Sequence, residues 1–370
     1  MSDPLGGLEP IHEPAPQPEP TPQPLQRRRT PTTFALLLVF GACFVAEALV
    51  GHDWSVQSYA ALIRLGALYG PAVRDGDWWR IGSYAFLHIG WPHILANSWS
   101  LWVLAPQLEM TFGSNITLGL FAATALAGGG ASALWSLHLG RDVLAAGASG
   151  GVMGLFGATI ALFWRVRERI PPEARRRIVR TVGLNVLLIV AIAYTAPVDN
   201  AAHAGGAAVG LLLGLLAPLP MRERRPWETP AQWLIIGCAL VLAGMEGAAV
   251  AWAVHPKPRT LRGNGVEAQV PGLLLPAEPG VALLPGAAAV EISRSDEPLR
   301  IEPGETAARI GDRTWLVQHP NAEGEEVTEL AAADGGGRVT IRFQCGAPFC
   351  RGAEGEKIYR LVAGSLKTTR

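Results

Sequence analysis

Apolar residues along this chain gather in seven long blocks, roughly 33–50, 83–105, 116–138, 146–164, 181–197, 201–219 and 231–254. Each is close to the ~20 residues a helix needs to cross a bilayer. Glycine and alanine are frequent within them, as close helix packing in lipid requires. The pattern predicts an all-α polytopic membrane protein with seven transmembrane helices, flanked by two polar ends. At one end, residues 1–31 repeat proline every two or three positions and finish on Arg27, Arg28 and Arg29. They carry too little apolar surface for a core and read as a disordered tail. At the other end, RTWLVQ and RVTIRFQ alternate apolar and polar positions near glycine-rich turns, which predicts strands and a small β-rich domain. The expected division is a tail over 1–31, a six-helix core over 32–220, a seventh helix within 221–254 and the β-rich domain over 255–370.

The first block has a rival reading. Arg27–Arg29, the apolar run and Ala46-Glu47-Ala48 together resemble a signal peptide with its cleavage site. The long proline-rich lead and the six further blocks favour a retained span.

Composition sharpens the membrane reading. Of 370 residues, 49% are hydrophobic and 17% charged, against about 25% charged in a soluble domain. Basic and acidic residues balance at 31 each, which argues against a nucleic-acid partner held by bulk charge. Arginine placement sets the orientation. RVRERIPPEARRRIVR, after the fourth block, holds seven arginines, MRERRPWE, after the sixth, holds three, and the tail holds three. Alternating spans put these three segments on one side, the cytoplasmic side by the positive-inside rule. The expected protein is multi-pass in the cell (inner) membrane, with its N-terminus inside and the β-rich domain outside.

Cys43 and Cys238 lie in apolar blocks and read as packing residues. Cys345 and Cys350 flank Gly-Ala-Pro-Phe in the polar C-terminal region. An outside location would permit a small disulfide loop between them. No metal-ligand or cofactor spacing is evident, so neither is expected.

Polar side chains inside a bilayer are costly and usually face a bundle interior or a water-filled cavity. Ser149 stands in Gly147-Ala148-Ser149-Gly150-Gly151 at the mouth of the fourth block. It is either a small packing residue or a nucleophile, and a nucleophile needs a base. His203, at the start of the sixth block, is the candidate. Gly206, Gly210 and Gly214 follow it on one helical stripe, so that helix can approach a partner closely. His93 and Asn97 are four positions apart on the second block and point the same way. Such a pair can donate hydrogen bonds to an oxyanion, or simply bond to each other. His88 falls on a different face and reads as structural. Ser149, His203 and the His93–Asn97 pair lie at comparable depth on the outer side, and together they supply the parts of acyl transfer.

The chain resembles the rhomboid intramembrane serine proteases. The matching residues are Trp79-Arg80, His88-x4-His93-x3-Asn97, Gly147-x-Ser149-Gly150 and His203-x2-Gly206-x3-Gly210, in that order over about residues 33–220. The resemblance implies a six-helix core in which Ser149 and His203 form a dyad without a third carboxylate. It also implies an oxyanion site of His93, Asn97 and the Ser149 backbone N–H, and transmembrane proteins as substrates. Many relatives carry an aromatic residue four positions after the serine, where this chain has Met153. Two alternatives stand beside it. GASGG also fits the nucleophile elbow of soluble hydrolases, but that motif needs a preceding buried strand in a soluble sheet, whereas here LHLGRDVLAA precedes it and membrane blocks surround it. A non-catalytic rhomboid-like protein that binds or chaperones transmembrane helices would share the same fold.

Overall fold

A computed structural model of the chain describes residues 30–51, 59–139, 144–180, 183, 198–219, 228–263, 265–272, 274–278, 280–284, 288–299, 306–310, 312–318, 326–334, 337–345 and 353–368. The apolar block 181–197 and the Cys345–Cys350 loop therefore fall largely outside the described residues.

Four described helices are long and apolar enough to cross a membrane: Pro31–Gly51, Ser114–Leu139, Ser149–Arg169 and Thr229–Val254. In the labels used below, α1 is Pro31–Gly51, α5 Gly90–Phe112, α6 Ser114–Leu139, α7 Ser149–Val166, α8 Asn200–Leu216 and α9 Glu228–Val254. In α1, Leu36, Phe40, Phe44 and Ala48 repeat every four residues and are buried, whereas Leu38, Val45 and Leu49 are exposed. That split of one apolar helix into a packed stripe and an open apolar face is what a lipid-facing helix shows.

The second apolar block differs from expectation. Residues 83–105 predicted a span, but its helix runs over Gly90–Phe112. The stretch before it forms two short helices, α4 at Arg80–Ser83 and a 3-10 turn at Tyr84–Phe86, followed by extended Leu87. Composition alone cannot tell an apolar buried loop from a span. Gly90 takes φ +77 and Pro92 sits in the first turn, where its missing N–H costs nothing, so the helix starts there. At the far end Gly113 takes φ +88, which lets α6 begin one residue after α5 has closed.

Glu109, near that turn, is buried and closes the start of α1. Its carboxylate accepts from Thr32 N at 2.7 Å, Thr33 N at 3.0 Å, Thr33 Oγ1 at 2.8 Å and Ser114 Oγ at 2.8 Å. The leading amides of a helix lack partners within it, and here a carboxylate from another helix supplies them.

Between α1 and α5 the chain forms a compact cap: α2 at Tyr59–Leu65, β1 at Leu68–Tyr69, α3 at Gly70–Arg74, and α4. β1 pairs antiparallel with β2, Leu144–Ala145, matching Leu68 to Ala145 and Tyr69 to Leu144. In the C-terminal region, β3 is Arg259–Gly263, β4 Val266–Val270, β5 Leu275–Glu278, β6 Val281–Leu284, β7 Ala288–Ser295, β8 Thr306–Ile310, β9 Arg313–Gln318, β10 Glu326–Asp334, β11 Gly337–Cys345 and β12 Lys367–Thr368. They build a seven-stranded sheet of order β5-β6-β7-β11-β10-β9-β8 and a three-stranded sheet of order β12-β4-β3. An amphipathic helix, α10 at Ala353–Ser365, packs on β4, β8 and β11. Trp315, Phe343 and Ile341 lie in the core of this region, separate from the helical core.

Candidate active site

The helices α7 and α8 touch along their backbones. A Cβ on Gly206 would collide with the carbonyl oxygen of Gly150, and one on Gly210 with that of Gly154. A Cβ on Gly214 would lie 2.7 Å from the Cα of Ala158. On the reverse side, Gly151 faces the ring of Phe121 and Gly154 faces Thr124, both on α6. Thr124 Oγ1 also contacts the Gly151 carbonyl at 3.2 Å. The Gly206-Gly210-Gly214 stripe is thus the surface on which α8 meets α7, and α7 meets α6 through Gly151 and Gly154.

This packing brings three helix starts together. Ser149 is the first residue of α7, His203 the fourth of α8 and His93 the fourth of α5. All three line one cavity of about 400 Å³, together with Asn97, Tyr84, Gly147 and Asp199. Helix N-termini carry partial positive charge and unpaired N–H groups, so they favour an anion that forms between them.

Gly147 takes φ +140, a conformation closed to most side chains. A Cβ there would meet His93 Nε2 at 2.7 Å and Asn97 Nδ2 at 3.7 Å. The approach to Ser149 therefore runs directly against the His93 and Asn97 heads. Asn97 is buried, and its Nδ2 has no hydrogen-bond partner among the described residues. Leaving a buried donor unpaired costs about 1–3 kcal/mol, and at a reactive site such a donor is free for a substrate oxygen. His93 Nδ1 accepts from Ile89 N at 3.3 Å, which holds its ring.

Two cavity residues with polar groups, Tyr84 and Asp199, had no place in the sequence reading. Tyr84 is buried; its hydroxyl donates to the Ala125 carbonyl at 3.0 Å and its own carbonyl accepts from Gly147 N at 2.9 Å. It ties α6 to the loop that leads into Ser149. Asp199 caps α8, accepting from Ala202 N at 2.9 Å, while its other carboxylate oxygen is buried without a partner among the described residues. The sequence does carry a signal for Asp199, since Asp one turn before an apolar helical run is a strong cap. For Tyr84 the sequence holds no signal.

His88 is fully buried just ahead of α5, its ring 5.4 Å from that of His93 and 5.1 Å from that of Phe40. Its backbone N–H donates to the buried carboxylate of Glu47 at 3.1 Å. It supports His93 from behind, in keeping with its structural reading. Met153 lies one turn into α7, half-buried.

Trp79 and Arg80 lie in the cap instead of in the cavity. Arg80 is fully buried, donating to the Ile63 and Ala67 carbonyls at 2.8 and 3.0 Å and to Asp77 at 2.9 Å. Its guanidinium sits 4.4 Å from the Trp79 ring and 4.7 Å from the Trp252 ring of α9. Burial pulls its pKa down to about 10 against the opposing pull of Asp77, so it stays charged at neutral pH.

Fold and cavity together define a multi-pass membrane protein with a serine, a histidine and a set of hydrogen-bond donors gathered at one end of its bundle. Residues 75–219 match the family model described as the Rhomboid domain. The putative rhomboid protease YdcA of Bacillus subtilis is 31% identical over 158 residues, covering 42% of this chain and 75% of that protein. The rhomboid protease GlpG of Yersinia enterocolitica is 31% identical, covering 51% of this chain and 63% of its own length. For the rhomboid protease GluP of Bacillus subtilis the figures are 29% identity, 43% and 30%. The chain thus spans less than two thirds of GlpG and of GluP. This chain belongs to the rhomboid family.

Proposed function

We propose that the protein is an intramembrane serine endopeptidase in which Ser149 is the nucleophile and His203 its general base. The observation that carries this reading is the shared cavity of Ser149, His203, His93 and Asn97, with the Asn97 amide unpaired. His203 accepts the hydroxyl proton as Ser149 attacks the scissile carbonyl. His93, Asn97 and the Ser149 N–H, at the start of α7, hold the resulting oxyanion. His203 then returns the proton to the leaving amine, and water from the cavity hydrolyses the acyl-enzyme.

The substrate is a transmembrane segment of another protein. Its helix must unwind locally, because a helical peptide bond is shielded, and glycine or proline near the cleavage site assists this. The arginine-rich loops support a cytoplasmic N-terminus in the cell membrane and a cavity open to the outer side.

The test is active-site labelling. Purified protein should react covalently with a fluorophosphonate and cleave a model transmembrane substrate, and Ser149→Ala should do neither. Labelling that persists in Ser149→Ala would overturn the reading.

A further inference from the structure

We infer that the C-terminal strand region, with the end of α9, is a positioning element for the catalytic loop, and that Arg259 is the residue through which it acts. The inference rests on Ser149 being the nucleophile of that loop.

The chain of contacts starts in β3. Arg259 pairs with Asp77 and lies 3.9 Å from Asp75; its Nε also donates to the Gly272 carbonyl at 3.2 Å. Asp77 uses the same carboxylate oxygen, Oδ2, to hold Arg80 at 2.9 Å. One aspartate thus joins an arginine of the strand region to the buried arginine of the cap. Two further contacts follow the same line. Trp252, near the end of α9, has its ring 5.7 Å from that of Trp79 and flanks the Arg80 guanidinium. Leu275 of β5 is buried in one cluster with Ile63, Tyr69 and Ala72 of the cap.

From the cap the connection reaches the serine by backbone hydrogen bonds. Arg80 holds the Ile63 and Ala67 carbonyls, and Ser83 Oγ donates to the Gly66 carbonyl at 2.7 Å. These fix the turn that delivers β1. β1 pairs with β2, which ends at Ala145, four residues before Ser149. Tyr84, just after Arg80 and Ser83, takes the Gly147 N–H at 2.9 Å. The cap thus holds the catalytic loop at two points, Leu144–Ala145 and Gly147, and Arg259 braces the cap from the far side. A reacting group displaced by about 1 Å loses on the order of 100-fold in rate, so a brace at this place acts on turnover more than on substrate binding.

The experiment uses full-length protein in detergent, with Arg259→Ala, Arg259→Lys and, as a control, Arg313→Ala, which removes a β9 ion pair to Asp334 that has no part in the cap. Arg259 is only partly buried, and its loss leaves the strand core intact. We expect Arg259→Ala to lower kcat at least about 5-fold with KM within about 2-fold. Arg259→Lys should recover most of the loss, and Arg313→Ala should match wild type. Hydrogen exchange gives a readout independent of catalysis: amides 144–152 should exchange several-fold faster in Arg259→Ala, with those of α6 unchanged. Wild-type exchange at 144–152 in Arg259→Ala, or equal losses of kcat in Arg259→Ala and Arg313→Ala, would overturn the inference. A wild-type protein that neither labels nor cleaves would overturn the protease reading instead, and the exchange comparison would still decide the positioning role.

Discussion

The carbonyl oxygen of Gly154 occupies the space a Cβ on Gly210 would need. Neither helix can yield there, because the obstacle is backbone. Gly210→Ala should therefore push α8 off α7, at about the 1–3 kcal/mol typical of overpacking, and separate His203 from Ser149. Gly244→Ala on α9, where a Cβ meets nothing within 4 Å, should leave thermal stability and cleavage near wild type. Comparing melting temperature and turnover of the two variants checks this; equal behaviour would refute it.

His203→Ala should abolish substrate cleavage and suppress fluorophosphonate labelling of Ser149, since a serine hydroxyl is weakly nucleophilic without its base. Residual cleavage near the wild-type rate would remove His203 from the mechanism.

Asn97→Ala should lower turnover by roughly 10–1000-fold, the span expected for one oxyanion donor among several. The melting temperature should hold, because the Nδ2 it removes has no partner to lose among the described residues. A fall in stability with unchanged turnover would mark Asn97 as structural.

Asp199 separates a cap from a charge. Asp199→Asn keeps the side-chain oxygen that accepts from Ala202 N and should retain stability, because Asn and Asp cap about equally well. Asp199→Ala should cost about 0.5–2 kcal/mol, read as a lower melting temperature. Equal stability of the two variants would show that the cap contributes nothing.

Glu109→Ala strands two backbone N–H groups and the Thr33 hydroxyl at the start of α1, and the Ser114 hydroxyl at the start of α6. Each buried donor left unpaired costs about 1–3 kcal/mol. We expect a large loss of thermal stability, with Glu109→Gln intermediate because it still accepts but without charge. Wild-type stability in Glu109→Ala would contradict the capping role.

Local patterns are legible in the amino-acid sequence. The apolar blocks locate α1, α6, α7, α8 and α9 to within a few residues, because length and lipid exposure fix such helices. Ser149, His203, His93 and Asn97 stand out because polar residues are rare in such blocks, and all four line the one cavity. Pairings made over distance are not legible. Asp77 and Arg259 are 182 residues apart, and nothing local to either predicts the other. Tyr84 falls inside an apolar block and looks like one more span residue. The start of α5 is hidden for the same reason: the apolar side chains of Tyr84, Ala85, Phe86 and Leu87 are buried in protein and do not mark a lipid crossing.

The carboxylate at Glu109 also imposes an order on biosynthesis. Thr32 and Thr33 leave the ribosome well before Glu109, 77 residues further along the chain in the case of Thr32. Until then the first span must stand with its leading amides open to water at the membrane surface. It is completed only when α5 arrives, so the start of α1 is closed by a helix made after it.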